Sequence, residues 1–239
     1  MEQKAIAIIT ARGGSKRIPR KNIRNFCGRP ILAYSIEAAR ESGLFDEVMV
    51  STDDAEIAEV SRRYGATVPF FRSAETSDDF AATADVLMEV LSAYHEQGRS
   101  FLTMCCIYPT APFVTAEKLC RAEQVFRESG ADMLEPVVAF SYPPQRSFSI
   151  MEGRLVYNFP EYVRTRSQDL PIWYHDAGQF YFYHVSAFLE SMQSRVVQGG
   201  YDLSCAPFVL EEAEVQDIDT LADWELAEMK YHKMQDVDE

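Results

Sequence analysis

The chain has 239 residues, 47% of them hydrophobic, and a formal net charge of −14, enough for one sizeable buried core in a globular protein. The negative balance speaks against a general nucleic-acid surface, and the lack of any apolar run near 18 residues, with Glu2 and Lys4 charging the start, speaks against a membrane helix or a secretory signal. Five cysteines without a CxxC pair and four histidines without ligand spacing argue against a disulfide framework and a zinc site, so a cytoplasmic protein with buried free thiols is expected.

In chain order, Lys4 to Thr10 is a short apolar run that predicts a buried parallel strand, followed by a glycine loop. Pro30 suits the first position of a helix reaching about Arg40, with Ile31, Tyr34, Ser35 and Ala38 on one face and Gly43 as its stop. Residues 46–52 predict a second strand, Asp53 or Asp54 a cap for a helix that Gly65 closes, and 66–71 an edge-like third strand. A helix over 83–97, a strand over 101–107, a helix over 115–129 ending at Gly130 and a strand over 132–140 follow. Such alternation is the signature of an α/β domain with a mainly parallel sheet.

From about 141 to 175 the sequence turns irregular, rich in proline and aromatics, with a hairpin-like turn at Glu152-Gly153. It reads as an insertion in a single 1–239 domain, serving as substrate lid and homodimer interface. A strand near 179–185, a helix near 186–192, a strand near 203–209 and a terminal helix from about Thr220 complete the pattern.

Charge is unevenly placed. Between Gln3 and Ile36 there is no acidic residue, but there are Lys4, Arg12, Lys16, Arg17, Arg20, Lys21, Arg24 and Arg29; from Glu211 onward acidic residues dominate. A basic patch on an acidic protein suits a small polyanion. The loop after the first strand is the expected ligand position in an open α/β sheet. There Gly13 and Gly14 would let backbone N–H groups approach an anion, and Arg12, Lys16, Arg17 and Lys21 would neutralise it. The spacing matches neither a P-loop nor the dinucleotide fingerprint. At the other end of the chain, Asp217 and Asp219 stand two apart, so in extended backbone their carboxylates share a face and suit Mg²⁺, or else they cap the last helix.

"TARGGSKRIPRKN" (10–22) resembles the signature of the CMP-sialic acid synthetase (acylneuraminate cytidylyltransferase) family. The resemblance implies a Rossmann-like nucleotidyltransferase fold and a loop that wraps the triphosphate of CTP, with contacts from Arg12, Gly13, Gly14, Ser15, Lys16, Lys21 and Asn22. It also implies Mg²⁺ on Asp217 and Asp219. By the same resemblance "FFRSAETSDD" (70–79) is similar to the family's base-recognition loop, which makes Arg72 and Thr83 candidate contacts; a surface ion pair is the other reading of Arg72. "YPTAPF" (108–113) departs from the family motif in having Tyr108 and Val114, which points away from ordinary N-acetylneuraminate. "RSQDLP" and "YHDAGQFYF" are most similar to the bacterial branch that activates pseudaminic acid, and imply sugar contacts from Tyr108, Arg164, Arg166, Tyr174, His175, Asp176 and Gln179, with the arginines at the sugar carboxylate.

The implied reaction is attack of an anomeric hydroxyl on the α-phosphorus of CTP, with Arg12, Lys21 and Asp217 as catalytic groups and pyrophosphate released. Whether Asp217 or a hydroxide takes the proton stays open at this point, as does the choice among pseudaminate, legionaminate, sialate and Kdo. A nucleotide-binding regulator without turnover is the alternative from another class.

Overall fold

In this computed structural model residues 5–78, 81–194 and 203–235 are described, which leaves Lys4, Asp79 and the last four residues of the acidic tail outside. Strand β1 (Ala5–Thr10) is buried on both faces because its apolar side chains alternate across the sheet: Ala7 and Ile9 enter one core cluster, Ile6 and Ile8 the other. After the glycine loop, β2 (Asn25–Phe26) and β3 (Arg29–Pro30) form a small hairpin that leads into α1 (Ile31–Glu41). Pro30 is extended and pairs with Asn25, so it precedes the helix instead of opening it. The face of α1 carrying Ile31, Tyr34, Ser35 and Ala38 is buried, as the sequence predicts.

β4 (Glu47–Ser51) leads to α2 (Ala55–Arg63), which Asp54 caps by accepting from the Glu56 and Ile57 amides. The expected strand over 66–71 is not one. Thr67 makes a single bridge to Met49, and Pro69 has no N–H with which to extend the ladder. α3 (Thr83–Glu96), β5 (Thr103–Ile107), α4 (Ala116–Ser129) and β6 (Met133–Ala139) follow the predicted order. The irregular segment holds an exposed hairpin, β7 (Phe148–Met151) and β8 (Arg154–Tyr157), turning at Glu152 and Gly153 with φ of 50° and 75°. β9 (Tyr174–Asp176), β10 (Phe180–His184), α5 (Val185–Gln193), β11 (Cys205–Leu210) and α6 (Leu221–Gln235) complete the chain.

The main sheet runs β11-β6-β10-β5-β1-β4, with β9 added to β6. β1 is parallel to β4 and β5, and β11 is parallel to β6. β10 lies antiparallel between β5 and β6, so those two strands share a direction and the sheet is mainly parallel, with β9 and β10 opposed. α1, α2 and α4 cover one face, and α3 and α5 the other.

Register brings five connections to one edge. Thr10 pairs with Ser51, Ile107 with both Ile9 and Phe180, and Leu210 with Val138. The loops after β1, β4, β5 and β11, and the turn entering β10, therefore open together at the carboxyl ends of the parallel strands, where α/β sheets bind ligands. A third apolar cluster fixes α6 beside this edge: Ile18 of the glycine loop, Phe26, Phe113, Ile218 and Trp224 are buried together.

Candidate active site

The glycine loop is held by the acidic end of β4. The Gly13 amide donates to Asp53 Oδ1 at 2.8 Å, and Asn22, itself buried, donates from Nδ2 to the Arg12 carbonyl at 2.8 Å. Arg20, with φ of 56°, turns back to Asp54 (2.5 Å) and to Glu56. A Cβ on Gly13 would meet Asp54 Cβ and Oδ2 at 3.0 Å, whereas one on Gly14 would meet nothing within 4 Å. Gly13 is thus small to fit against Asp54, and its amide is already engaged; this corrects the expectation that both glycines aim N–H groups at a ligand.

A cavity of about 440 Å³ opens above the loop, lined by Arg12, Ser15, Lys16, Arg17, Lys21 and Asn22, together with Thr10, Thr83, Tyr108, Pro109 and Thr110. Its wall carries several cations at short range, the electrostatic character a polyphosphate needs. Lys21 donates to the Ile218 carbonyl at 2.6 Å and lies 3.7 Å from Asp219. Burial pushes its ammonium below the usual lysine value, against the pull of Asp219 and Asp217. Arg17 reaches Asp219 directly at 2.7 Å.

Ile218 is fully buried in the cluster under α6. Its two neighbours, Asp217 and Asp219, both act on the charge of Lys21, and Asp219 acts on that of Asp217, which puts the two carboxylates near each other beside the glycine loop. Burial, and next the charge of Asp219, raise the Asp217 carboxyl above its usual range. Capping of α6 is done by other groups: the Thr220 amide donates to Asp223 Oδ2 at 2.7 Å and the Asp223 amide to Thr220 Oγ1 at 3.3 Å. Among the described residues no three or more acidic, His or Cys side chains gather as a metal group. The two neighbouring carboxylates beside this cationic loop nevertheless have the hard oxygen donors that a magnesium ion would take, with its remaining ligands from other oxygens.

Two of the neighbouring cavities share lining residues with this cleft. In one, of about 210 Å³, Arg72 joins Arg12, Thr76, Asp78 and Thr83. Arg72 is only 8% exposed and donates to Ser51 Oγ (3.0 Å) and to the Ser51 carbonyl (2.7 Å). The alternative of a surface ion pair is excluded by that burial, which also pulls the guanidinium below its ordinary value. The other, of about 540 Å³, holds Tyr108, His175, Asp176, Glu212, Asp217 and Lys230. Tyr108 also borders a smaller cavity with Glu135, Asp176, Tyr181 and Phe188, so one half-buried ring separates the cationic cleft from two acidic ones. Asp176 accepts from the Tyr181 hydroxyl at 2.6 Å.

A family model described as Cytidylyltransferase matches residues 6–188. The chain is 43% identical over 233 residues to pseudaminic acid cytidylyltransferase of Campylobacter jejuni subsp. jejuni serotype O:2, an alignment covering 95% of this chain and 96% of that one. The chain belongs to the cytidylyltransferase family. Another member, CMP-N,N'-diacetyllegionaminic acid synthase of Legionella pneumophila, is 32% identical over 93% of this chain and 94% of its own length. Among solved structures, CMP:2-keto-3-deoxy-manno-octonic acid synthetase complexed with CTP superposes with a TM-score of 0.71 at 18% identity, covering 97% of this chain and 99% of that one; it attests the shared fold.

In this cytidylyltransferase the structure brings Arg12, Ser15, Lys16, Lys21, Asn22, Thr83 and Tyr108 to one cleft, and Asp217, His175 and Asp176 to the adjoining one. It does not bring the two arginines expected at the sugar. Arg164 is exposed, and Arg166, its side chain 72% exposed, pairs with Asp169 at 2.7 Å; neither is in the described lining of these cavities. Tyr174 is likewise exposed on β9, and Gln179 is buried, donating to the Glu214 carbonyl at 2.6 Å. Sequence reasoning missed Asp53 as the anchor of Gly13, and it missed Glu135 and Lys230. The alternation of β6 between its buried and half-buried positions puts Glu135 on the less covered face, the one signal that could have marked it.

Proposed function

We propose that this cytidylyltransferase transfers CMP from CTP to the anomeric hydroxyl of pseudaminic acid. The observation that carries the substrate is the 43% identity to a pseudaminic acid cytidylyltransferase, which spans 95% of the chain and so includes the irregular segment as well as the loop. The 32% identity to the legionaminate enzyme makes that sugar the next candidate.

The chemistry follows from the cleft. The sugar oxygen bonds to the α-phosphorus as the bond to the β-phosphate bridge breaks, and pyrophosphate leaves with the negative charge that develops. Arg12, Lys16 and Lys21 face that charge, held in place before the reaction by Asn22, Ile218 and the Asp53-anchored loop. Catalysis is by positioning and electrostatics, so no protein nucleophile is required. Arg72 and Thr83 share the adjoining cavity with Arg12, which supports reading it as the base site. Asp217 and Asp219 would hold the magnesium ion, which when bound neutralises phosphate charge. Before loading, Arg17 and Lys21 balance Asp219.

The remaining properties belong to the same proposal. The exposed apolar side chains of the β7–β8 hairpin and its surroundings, Tyr142, Ile150, Met151, Leu155 and Ile172 among them, support a homodimer interface over the 141–175 segment, which also serves as lid. No helix among the described residues is long and apolar enough to cross a membrane. With all five cysteines unpaired, we place the reaction in the cytoplasm. Incubation with CTP, magnesium and pseudaminic acid, followed by phosphorus NMR, should show equimolar CMP-sugar and pyrophosphate; hydrolysis to free CMP alone would refute the transfer.

A further inference from the structure

The acidic sugar needs a cation, and the two arginines suggested by resemblance are on the outside of this chain. A nine-carbon 2-keto acid sugar bears its carboxylate directly on the anomeric carbon, next to the hydroxyl that attacks phosphorus. Whatever binds that carboxylate must therefore lie close to Asp217, beside which the reaction takes place. The 540 Å³ cavity that contains Asp217 also contains Lys230, delivered from the third turn of α6.

Lys230 is held there by main-chain groups. Its Nζ donates to the Val215 carbonyl at 2.7 Å and to the Glu212 carbonyl at 3.2 Å. Both acceptors are neutral, and among the described residues no carboxylate pairs with it. An ammonium has three donors, so one remains after these two bonds. The other polar side chains of the cavity are Tyr108, His175, Asp176, Glu212, Gln216 and Asp217. Carboxylates suit sugar hydroxyl and amide donors but repel a carboxylate, which leaves Lys230 as the lysine or arginine of this lining able to receive one.

We propose that Lys230 binds the carboxylate of the acidic sugar and fixes the anomeric hydroxyl against the nucleotide. The proposal rests on the sugar-activating reading above. It makes the last helix part of the sugar site, and it makes the Val215–Asp217 segment the rigid link between carboxylate binding and phosphate chemistry.

The test compares wild type, Lys230→Gln, Lys230→Arg and Arg166→Ala, with pseudaminic acid and its C1 carboxamide as alternative substrates and CTP as the second. Lys230→Gln keeps a donor for the carbonyls and loses the charge. It should raise KM for the acid roughly ten- to hundredfold, the loss of one charge-assisted hydrogen bond, with KM for CTP within about twofold and Tm unchanged. Wild type and Lys230→Arg should prefer acid over carboxamide about tenfold or more, and Lys230→Gln should lose that preference. If Lys230→Gln does not fold, Lys230→Arg and the wild-type preference still decide: an enzyme that turns over acid and carboxamide equally overturns the proposal. An unchanged KM for the acid in Lys230→Gln, or loss of the preference in Arg166→Ala instead, overturns it too. If wild type activates no nonulosonate at all, the functional reading itself falls and takes this proposal with it.

Discussion

Arg17 Nη2 lies 2.7 Å from Asp219 Oδ1, although 202 residues separate them in the chain. The contact joins the glycine loop to the segment before α6, and Lys21 reinforces it from 3.7 Å. A carboxylate poised between two cations is one that a divalent ion would have to share with them under the proposed reaction. Asp217→Ala and Asp219→Ala should each lower kcat about a hundredfold or more, the scale of losing a group that stabilises transition-state charge. Chelation of divalent ions should abolish wild-type turnover, and added magnesium should restore it. Unchanged turnover of either variant at saturating magnesium contradicts the metal assignment.

The two glycines of the loop should behave differently on substitution. Gly13→Ala places a methyl 3.0 Å from Asp54 Cβ and Oδ2, and Asp54 cannot easily yield because it caps α2 and pairs with Arg20. Overlap of this kind costs about 1–3 kcal/mol, visible as a lower Tm. Gly14→Ala meets open space and should leave Tm unchanged. The reverse pattern in thermal melts would show that the loop is held otherwise.

How far could the sequence alone carry this picture? The alternation of apolar strands and capped helices foretold the order of elements closely, because each stop is local: Gly65 and Gly130 adopt positive φ, and Asp54 and Thr115 cap with their own side chains. At 66–71 the β-branched residues point to a strand, and Pro69, which has no N–H for the ladder, outweighs them. What could not be read was partnership at a distance. Nothing near Gly13 in sequence indicates Asp53, and nothing near Lys230 indicates Val215 and Glu212; both depend on sheet register and on how α6 packs over Ile18 and Ile218. That Arg164 and Arg166 lie exposed, outside the described cavity linings, has a related cause, since an irregular segment carries no periodicity that fixes where its side chains point.

Arg72 offers a test of whether burial here serves binding as well as stability. Replacing it with alanine removes both hydrogen bonds to Ser51, and the expected cost is about 2 kcal/mol, together with a raised KM for CTP. Arg72→Lys should recover part of the stability but little of the affinity, because a single ammonium cannot reproduce the planar fork. Urea melts and initial rates on the two variants separate these effects.

Acid should reveal the anchor of the loop. The Arg20 contact, followed by amide donors at the start of α2, holds the Asp54 carboxyl below the usual carboxylate range. A depressed folded-state value means that its stabilisation is complete above the unfolded value, about 3.9, and is lost as pH falls through the folded value. Asp54→Ala should therefore cost about 1–2 kcal/mol near neutral pH, with the gap from wild type closing in strong acid. A gap that persists undiminished at low pH would contradict this.

If the β7–β8 hairpin joins two copies, charging it should separate them. Ile150 and Leu155 pair across the hairpin and are 77% and 69% exposed, so Ile150→Glu with Leu155→Glu should leave Tm nearly unchanged and shift the sedimentation coefficient from dimer to monomer. Wild type that sediments as a monomer at micromolar concentration contradicts the interface.

The most direct test is a side-by-side assay of the purified protein with CTP, magnesium and each of pseudaminate, legionaminate, N-acetylneuraminate and Kdo, following pyrophosphate. Pseudaminate should give the highest kcat/KM by about tenfold or more, a margin worth 1.4 kcal/mol of transition-state binding. No pyrophosphate with pseudaminate, beside clear turnover of any of the others, would contradict the account.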